Sequence, residues 1–296
     1  MRRPLARTAA FALAWAAPVA AAPGPTVAAA PAGVPRVLRV CADPNNMPFS
    51  DDRDEGIDNR LAHLVADALG ARLQYTWRPQ RRGFVRETLG AGRCDVMMEA
   101  PAGYGRAATT TPYYRSSYVF LTRRDHPVVR SLDDPRLRGL RVGVQVIGDD
   151  YANAPPAAAL GRRGLAANVV GFPVYGDYGK PDPLGPIGDA VAAGTVDVAV
   201  VWGPLAGWYA KEKQPALRVT PVSPSADGRD LPLSFDIAMA VRHGDTALLR
   251  RLEAVIRDHR PAIRGILEDF GVPLSPGLEP GSMNARHRRP RAPADD

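Results

Sequence analysis

Short apolar runs alternate with amphipathic helical stretches along most of this chain, and the alternation runs through twice. Val37-Leu38-Arg39-Val40-Cys41-Ala42 reads as a buried strand, and it stops at the turn-forming run Asp43-Pro44-Asn45-Asn46. Residues 58–69 set Leu61, Leu64, Val65, Ala68 and Leu69 on one helical face, and Gly70 ends the helix. Residues 73–77 form a second strand. Residues 83–89 form a helix closed by Gly90, and residues 95–98 form a third strand. Strand, helix, strand, helix, strand demands a parallel sheet, because a crossover helix returns the chain to the same edge.

The pattern then restarts. Residues 118–122 form a strand leading out of the first unit, and residues 140–144 open a second one. Residues 169–172 and 196–201 add strands, with helical stretches between them, and residues 235–241 lead back. Residues 246–256 and 261–270 are closing helices. The fold class is therefore α/β and two-lobed, each lobe a mostly parallel sheet flanked by helices. Residues 36–124 and 233–274 make lobe 1, residues 125–232 make lobe 2, and two extended crossovers act as a hinge. Ligands of such sheets sit at the carboxyl ends of strands. That places residues 43–50, 77–82, 99–106, 145–151 and 202–204 around a cleft.

The ends of the chain read differently. Arg2, Arg3 and Arg7 precede an apolar stretch too short to span a bilayer, and small residues follow, so residues 1–30 read as a secretory signal peptide. The polar and apolar residues that normally surround a twin-arginine pair are missing, so the general export route is expected. Residues 275–296 are rich in Pro, Gly and Arg and read as a disordered tail. The net charge of +7 is concentrated in these two ends, which leaves a nearly neutral body without a clustered basic face for nucleic acid. Beyond the leader no apolar run reaches the roughly 18 residues of a membrane span.

Enzyme signatures are poor. Gly103-Tyr104-Gly105-Arg106-Ala107-Ala108 fits a loose dinucleotide pattern, but Thr109-Thr110-Thr111-Pro112 follows where a helix must open. His63, His126, His243, His259 and His287 are dispersed, without metal-ligand spacing. No catalysis, metal or cofactor is expected. Cys41 and Cys94 are an even pair, and an oxidising compartment favours a bridge. Cys41 lies late in the first strand and Cys94 opens the third. In parallel neighbours that stagger is about four residues, or roughly 13 Å. A disulfide needs Cα atoms within about 7 Å. A Cys41–Cys94 bridge is therefore possible but is not the expectation.

Several strings along the chain carry a family likeness. They are residues 40–50, Gln80-Arg81-Arg82-Gly83-Phe84, Cys94-Asp95-Val96, residues 111–120, Val174-Tyr175-Gly176-Asp177-Tyr178 and residues 200–206. In order and at this spacing they resemble the periplasmic substrate-binding proteins of the amino-acid-receptor type (type II). Within these, they resemble the quinoprotein-dehydrogenase-associated MoxJ/XoxJ type of methanol-oxidation accessory protein. The resemblance covers about residues 37–272. It implies a periplasmic accessory factor that interacts with a pyrroloquinoline-quinone-dependent methanol or alcohol dehydrogenase, in its maturation or activation. The alternative is the solute-binding receptor of an ABC transporter for a small neutral or aromatic solute.

The candidate cleft residues are Asn45, Phe49, Trp77, Arg81, Arg82, Glu99, Tyr104, Arg106, Asp149, Tyr151, Tyr175 and Trp202. An amino-acid receptor needs a cation for the ligand carboxylate and an anion for its ammonium, since both charges lose water on closure. Arg106 falls nearest the family's carboxylate-binding arginine, against the reading of a solvated arginine. Trp202 stands where the family has its ammonium-binding acid. Trp cannot neutralise an ammonium, but it can stack on a ring or cover an apolar cavity, if it is not simply core. In Gly148-Asp149-Asp150-Tyr151 an aspartate can cap the helix N-terminus that the family offers to a carboxylate. Both departures count against a standard amino-acid receptor. Tyr75, Trp77, Tyr104, Tyr175, Tyr178 and Trp202 lie at predicted strand ends and loops, where they line a mostly apolar cleft or are scattered core aromatics. Arg81-Arg82 either grips a polycarboxylate such as pyrroloquinoline quinone or forms a solvated face.

Overall fold

The structure is a computed structural model, and it describes residues 36–147 and 154–275. The expected leader, the tail from residue 276 onward, and Asp149 and Tyr151 lie outside the described residues. Val37–Ala42 (β1) buries Leu38 and Val40 completely. Ile57–Leu69 (α1) covers it with Ile57, Leu61, Val65 and Leu69, the i, i+4 stripe of an amphipathic helix. Gly70 ends α1 in the left-handed region, φ 63°, where a Cβ would be strained. Arg72–Trp77 (β2) then pairs parallel to β1, from Val37 opposite Arg72 to Ala42 opposite Trp77. Val96–Pro101 (β3) takes the other side of β1, with Val40 opposite Val96. The helix expected before β3 is cut to Phe84–Glu87. There the Thr88 hydroxyl donates to the Phe84 carbonyl at 2.7 Å, and Gly92 turns the chain at φ 69°.

Tyr114–Arg123 (β4) is longer than expected and serves both halves of the sheet. In the second half, Val142–Val146 (β5) lies between Val169–Pro173 (β6) and Val198–Trp202 (β7), all parallel. Leu217–Pro221 (β8) was missed by the sequence pattern, and Ser234–Val241 (β9) is the return strand. β4 pairs antiparallel with β9 through residues 114–117 and with β7 and β8 through residues 118–123. The main sheet order is β2-β1-β3-β9-β4-β7-β5-β6. The outer ladders are parallel, and the crossover strands supply the antiparallel ones. Helices Pro155–Arg162 (α2), Pro186–Ala192 (α3), Gly203–Trp208 (α4), Thr246–Asp258 (α5) and Arg260–Asp269 (α6) flank it. All but α5 carry proline in the first turn, where no amide donor is lost.

Side-chain alternation divides the interior. Val119 and Leu121 of β4 and Ala199 and Val201 of β7 join the core that contains Leu38, Val65 and Tyr114. Phe120, Val198 and Val200 point into a second core with Val142 and Leu160. Gly207 of α4 sits so close to the chain near α6 that a Cβ would fall 2.0 Å from the Gly271 carbonyl oxygen. That contact ties α4 to the C-terminal end of the described chain.

Cys41 and Cys94 form a disulfide, with Cα atoms 5.4 Å apart, which corrects the sequence expectation. The stagger argument assumed that Cys94 continues β3 as extended chain. Instead the segment before Val96 is a turn folded back over the face of β1 and β2. Thr76 Oγ1 donates to the Arg93 carbonyl at 2.9 Å, and the Asp95 amide donates to the Arg39 carbonyl at 2.7 Å. Arg39 grips Asp95 with Nε to Oδ2 at 3.0 Å and Nη2 to Oδ1 at 2.5 Å, and Arg242 donates to the Cys94 carbonyl. The bridge is packed among Phe84, Leu89, Met97 and Ala240.

Candidate functional site

A cavity of about 390 Å³ opens where the carboxyl ends of the parallel strands of both halves converge. The first half contributes Asp43, Asn45, Asn46 and Phe49 after β1, Gln80 and Arg81 after β2, and Glu99 on β3. The crossovers contribute Tyr118, Phe235 and Ile237. The second half contributes Gln145, Val174, Tyr175, Tyr178, Leu184, Trp202 and Leu205.

Asp43 organises one side. Its carboxylate accepts from the Asn45 amide at 2.8 Å and the Gln80 amide at 2.5 Å, which ties together the loops after β1 and β2. It also accepts from the Tyr178 hydroxyl at 2.5 Å, across the cavity from the other half. Asn45 Nδ2 donates to the Lys180 carbonyl at 2.9 Å, and the Arg81 guanidinium lies 5.1 Å from the centre of the Tyr178 ring. The loop around Tyr178 is thus held against the first half by three contacts. Burial and the Asp43 carboxylate push the Tyr178 phenol up.

Glu99 defines the other side. One oxygen accepts from the Tyr114 hydroxyl, and the second accepts no hydrogen bond among the described residues. Burial pushes the Glu99 carboxyl up to about 7, against the pull of the Tyr114 hydroxyl. Asp58, in the first turn of α1, is pushed well above the carboxylate range by burial and then by the Glu99 charge. Its Oδ1 is buried without a hydrogen-bond partner. The same lining holds Tyr118, Trp202 and Phe235, whose ring centres are 5.5, 5.9 and 6.5 Å apart.

Of the residues expected from the sequence, Asn45, Phe49, Arg81, Glu99, Tyr175 and Trp202 line this cavity, as does Tyr178. Four others do not. Trp77 is on the edge strand β2, 37% exposed, its ring stacked on Tyr75 at 4.4 Å. Tyr104 packs against the cluster around the disulfide. Arg106 is exposed on a turn, and Arg82 is not among the lining residues. Asp43, Gln80, Gln145, Tyr118 and Phe235 were not singled out. The first three sit in or beside loops marked as cleft-lining, so loop position was their signal. Tyr118 and Phe235 sit within strand patterns that gave no cue to their facing a cavity. Among the described residues no group of three or more His, Cys, Asp or Glu could hold a metal ion, and no helix is long and apolar enough to cross a membrane.

A model of the bacterial extracellular solute-binding proteins, family 3, matches residues 38–262. Protein MoxJ of Methylorubrum extorquens (strain AM1) is 36% identical over 249 residues, covering 81% of this chain and 82% of that protein. Among solved structures, MxaJ from Methlophaga aminisulfidivorans MPT superposes with a TM-score of 0.70 at 27% identity, covering 80% of this chain and 100% of that one. The periplasmic binding protein XoxJ from Methylobacterium extorquens AM1 superposes with a TM-score of 0.66 at 32% identity, covering 80% and 99%. These matches run through both halves of the sheet and the loops that meet over the cavity, so the chain belongs to the bacterial extracellular solute-binding proteins of family 3 and, within them, to the MoxJ/XoxJ type.

Proposed function

We propose that this chain is a periplasmic, non-enzymatic accessory factor that interacts with a pyrroloquinoline-quinone-dependent methanol or alcohol dehydrogenase and serves its maturation or activation. It is exported by a cleaved leader within residues 1–30, and its lobes are residues 36–124 with 233–274, and residues 125–232. The carrying observation is the cavity wall. Trp202 occupies the strand end where an amino-acid receptor keeps its acid, and Arg106, nearest the expected carboxylate-binding position, is outside the cavity. A cleft without charges at those two positions is poorly suited to a free amino acid held in the receptors' way, since that ligand must give up the hydration of both its charges. The likeness to MoxJ along most of the chain supports the same reading.

The second reading is a receptor delivering a small solute to a membrane transporter. It is favoured by the cavity itself, whose volume of about 390 Å³ suits a small molecule. Direct titration separates the two. The mature protein is immobilised and the quinoprotein methanol dehydrogenase of the same cells is applied as apo- and holoenzyme at two salt concentrations. Saturable binding, stronger for one form, is the expected result. No binding of either form at tens of micromolar, about −6 kcal/mol or weaker, overturns the accessory role and leaves the solute receptor.

A further inference from the structure

Tyr118, Trp202 and Phe235 meet at interplanar angles of 65°, 70° and 76°. Three rings that are pairwise near-perpendicular form the corner of a box. A flat ring is sandwiched by parallel walls, whereas a corner surrounds a compact, rounded group. Aromatic faces carry negative charge density and attract cations within about 6 Å of the ring centre. The lining also holds a carboxylate with an oxygen to spare. Asp43 is occupied by Asn45, Gln80 and Tyr178, but the second oxygen of Glu99 has no donor among the described residues. The cation in the described lining, Arg81, is committed to the ring of Tyr178.

We infer that the cavity takes a compact organic cation, an alkylated ammonium group seated in the corner of Tyr118, Trp202 and Phe235 with Glu99 as its counter-ion. The inference rests on the reading of the cavity as a binding site and adds the chemical class of what enters it. A primary ammonium needs three hydrogen-bond acceptors when it leaves water, and three aromatic ring faces supply none of them. An alkylated ammonium has few or no donors to satisfy and presents a methyl-covered positive surface to the rings. Glu99 is faced by Tyr114 and Tyr113 from β4 and its approach, and by Asp58 from α1. Asp43 and Arg81 share the cavity with it. No described cation holds Glu99 ionised, so an entering cation provides the missing partner.

Calorimetric titration of the mature full chain tests this with three probes. Choline carries the quaternary charge, 3,3-dimethylbutan-1-ol has the same shape without it, and L-valine is a zwitterion. Choline should bind about tenfold or more tightly than the alcohol. Glu99→Gln, checked for folding by its melting curve, should bring the two within about threefold. On the unaltered protein, choline affinity should rise from pH 6 to pH 8 as Glu99 ionises, while the alcohol's stays flat. Equal affinity for choline and the alcohol, L-valine bound as tightly as choline, or no binding of any probe overturns the inference. The dehydrogenase titration, run on the same preparation, reads the other proposal independently. If it saturates while choline does not bind, only the cation inference falls. If choline binds and the dehydrogenase does not, only the accessory role falls.

Discussion

Glu99 is a carboxylate kept where burial disfavours its charge. Its pKa in the folded chain, about 7, lies above the value near 4.5 that it has in solution. The folded state therefore holds the proton more tightly than the unfolded chain, and stability falls as pH rises between those two values, then levels off. The ionised Glu99 costs up to about 3 kcal/mol above neutral pH. Glu99→Gln should consequently raise the melting temperature at pH 8 and leave it nearly unchanged at pH 4.5, since the amide oxygen still accepts from Tyr114. Equal melting curves of the two proteins at pH 8 would show that Glu99 is better solvated than its surroundings suggest. Residues that end a strand or follow it, such as Trp202, Asn45 and Arg81, could be marked from the sequence, because strand-end position is a local property. Glu99 is marked because the pattern ends β3 at residue 98, whereas the strand runs on to Pro101. Tyr118 and Phe235 could not, since a strand residue's face depends on which neighbours the sheet brings beside it.

At the scale of elements, the disulfide and the turn before β3 form one unit. Arg39 on β1, Thr76 on β2 and Arg242 just after β9 all converge on that turn, so its shape is imposed by three strands together. Closing a loop across a sequence separation of 53 residues restricts the unfolded chain, and the loop-entropy relation puts the stabilisation at about 4 kcal/mol. Replacing both cysteines by serine should lower the unfolding free energy in urea by about that amount, and reductant should do the same to the unaltered protein. A midpoint indifferent to dithiothreitol would contradict this. The oxidised pair also matches the periplasmic location implied by the family. Spacing alone misjudged the pair because it treated the approach to β3 as extended chain. A backbone that doubles back over the sheet brings residues together that a straight strand holds apart.

For the whole molecule, the question is how the two halves of the sheet are held around the cavity. β4 and β9 connect them as antiparallel neighbours, while Asp43–Tyr178, Asn45–Lys180 and Arg81–Tyr178 hold the opposite side. Tyr178→Phe removes one charge-assisted hydrogen bond but keeps the ring under Arg81, a loss of about 1.5–3 kcal/mol from the closed form. Solution scattering of the variant without added ligand should show a larger radius of gyration than the unaltered chain, and an unchanged radius would mean that the contact does not govern closure. The sequence by itself determined the α/β class, the repeated unit, the crossovers and the loops that rim the cavity. Those features follow from periodicity and turn chemistry, which act over a few residues. Only the tertiary structure decided the disulfide, the occupied state of Asp43, the Glu99 oxygen without a donor among the described residues, and the three-ring corner. Each depends on register and approach between segments far apart in the chain, and local pattern does not encode that geometry.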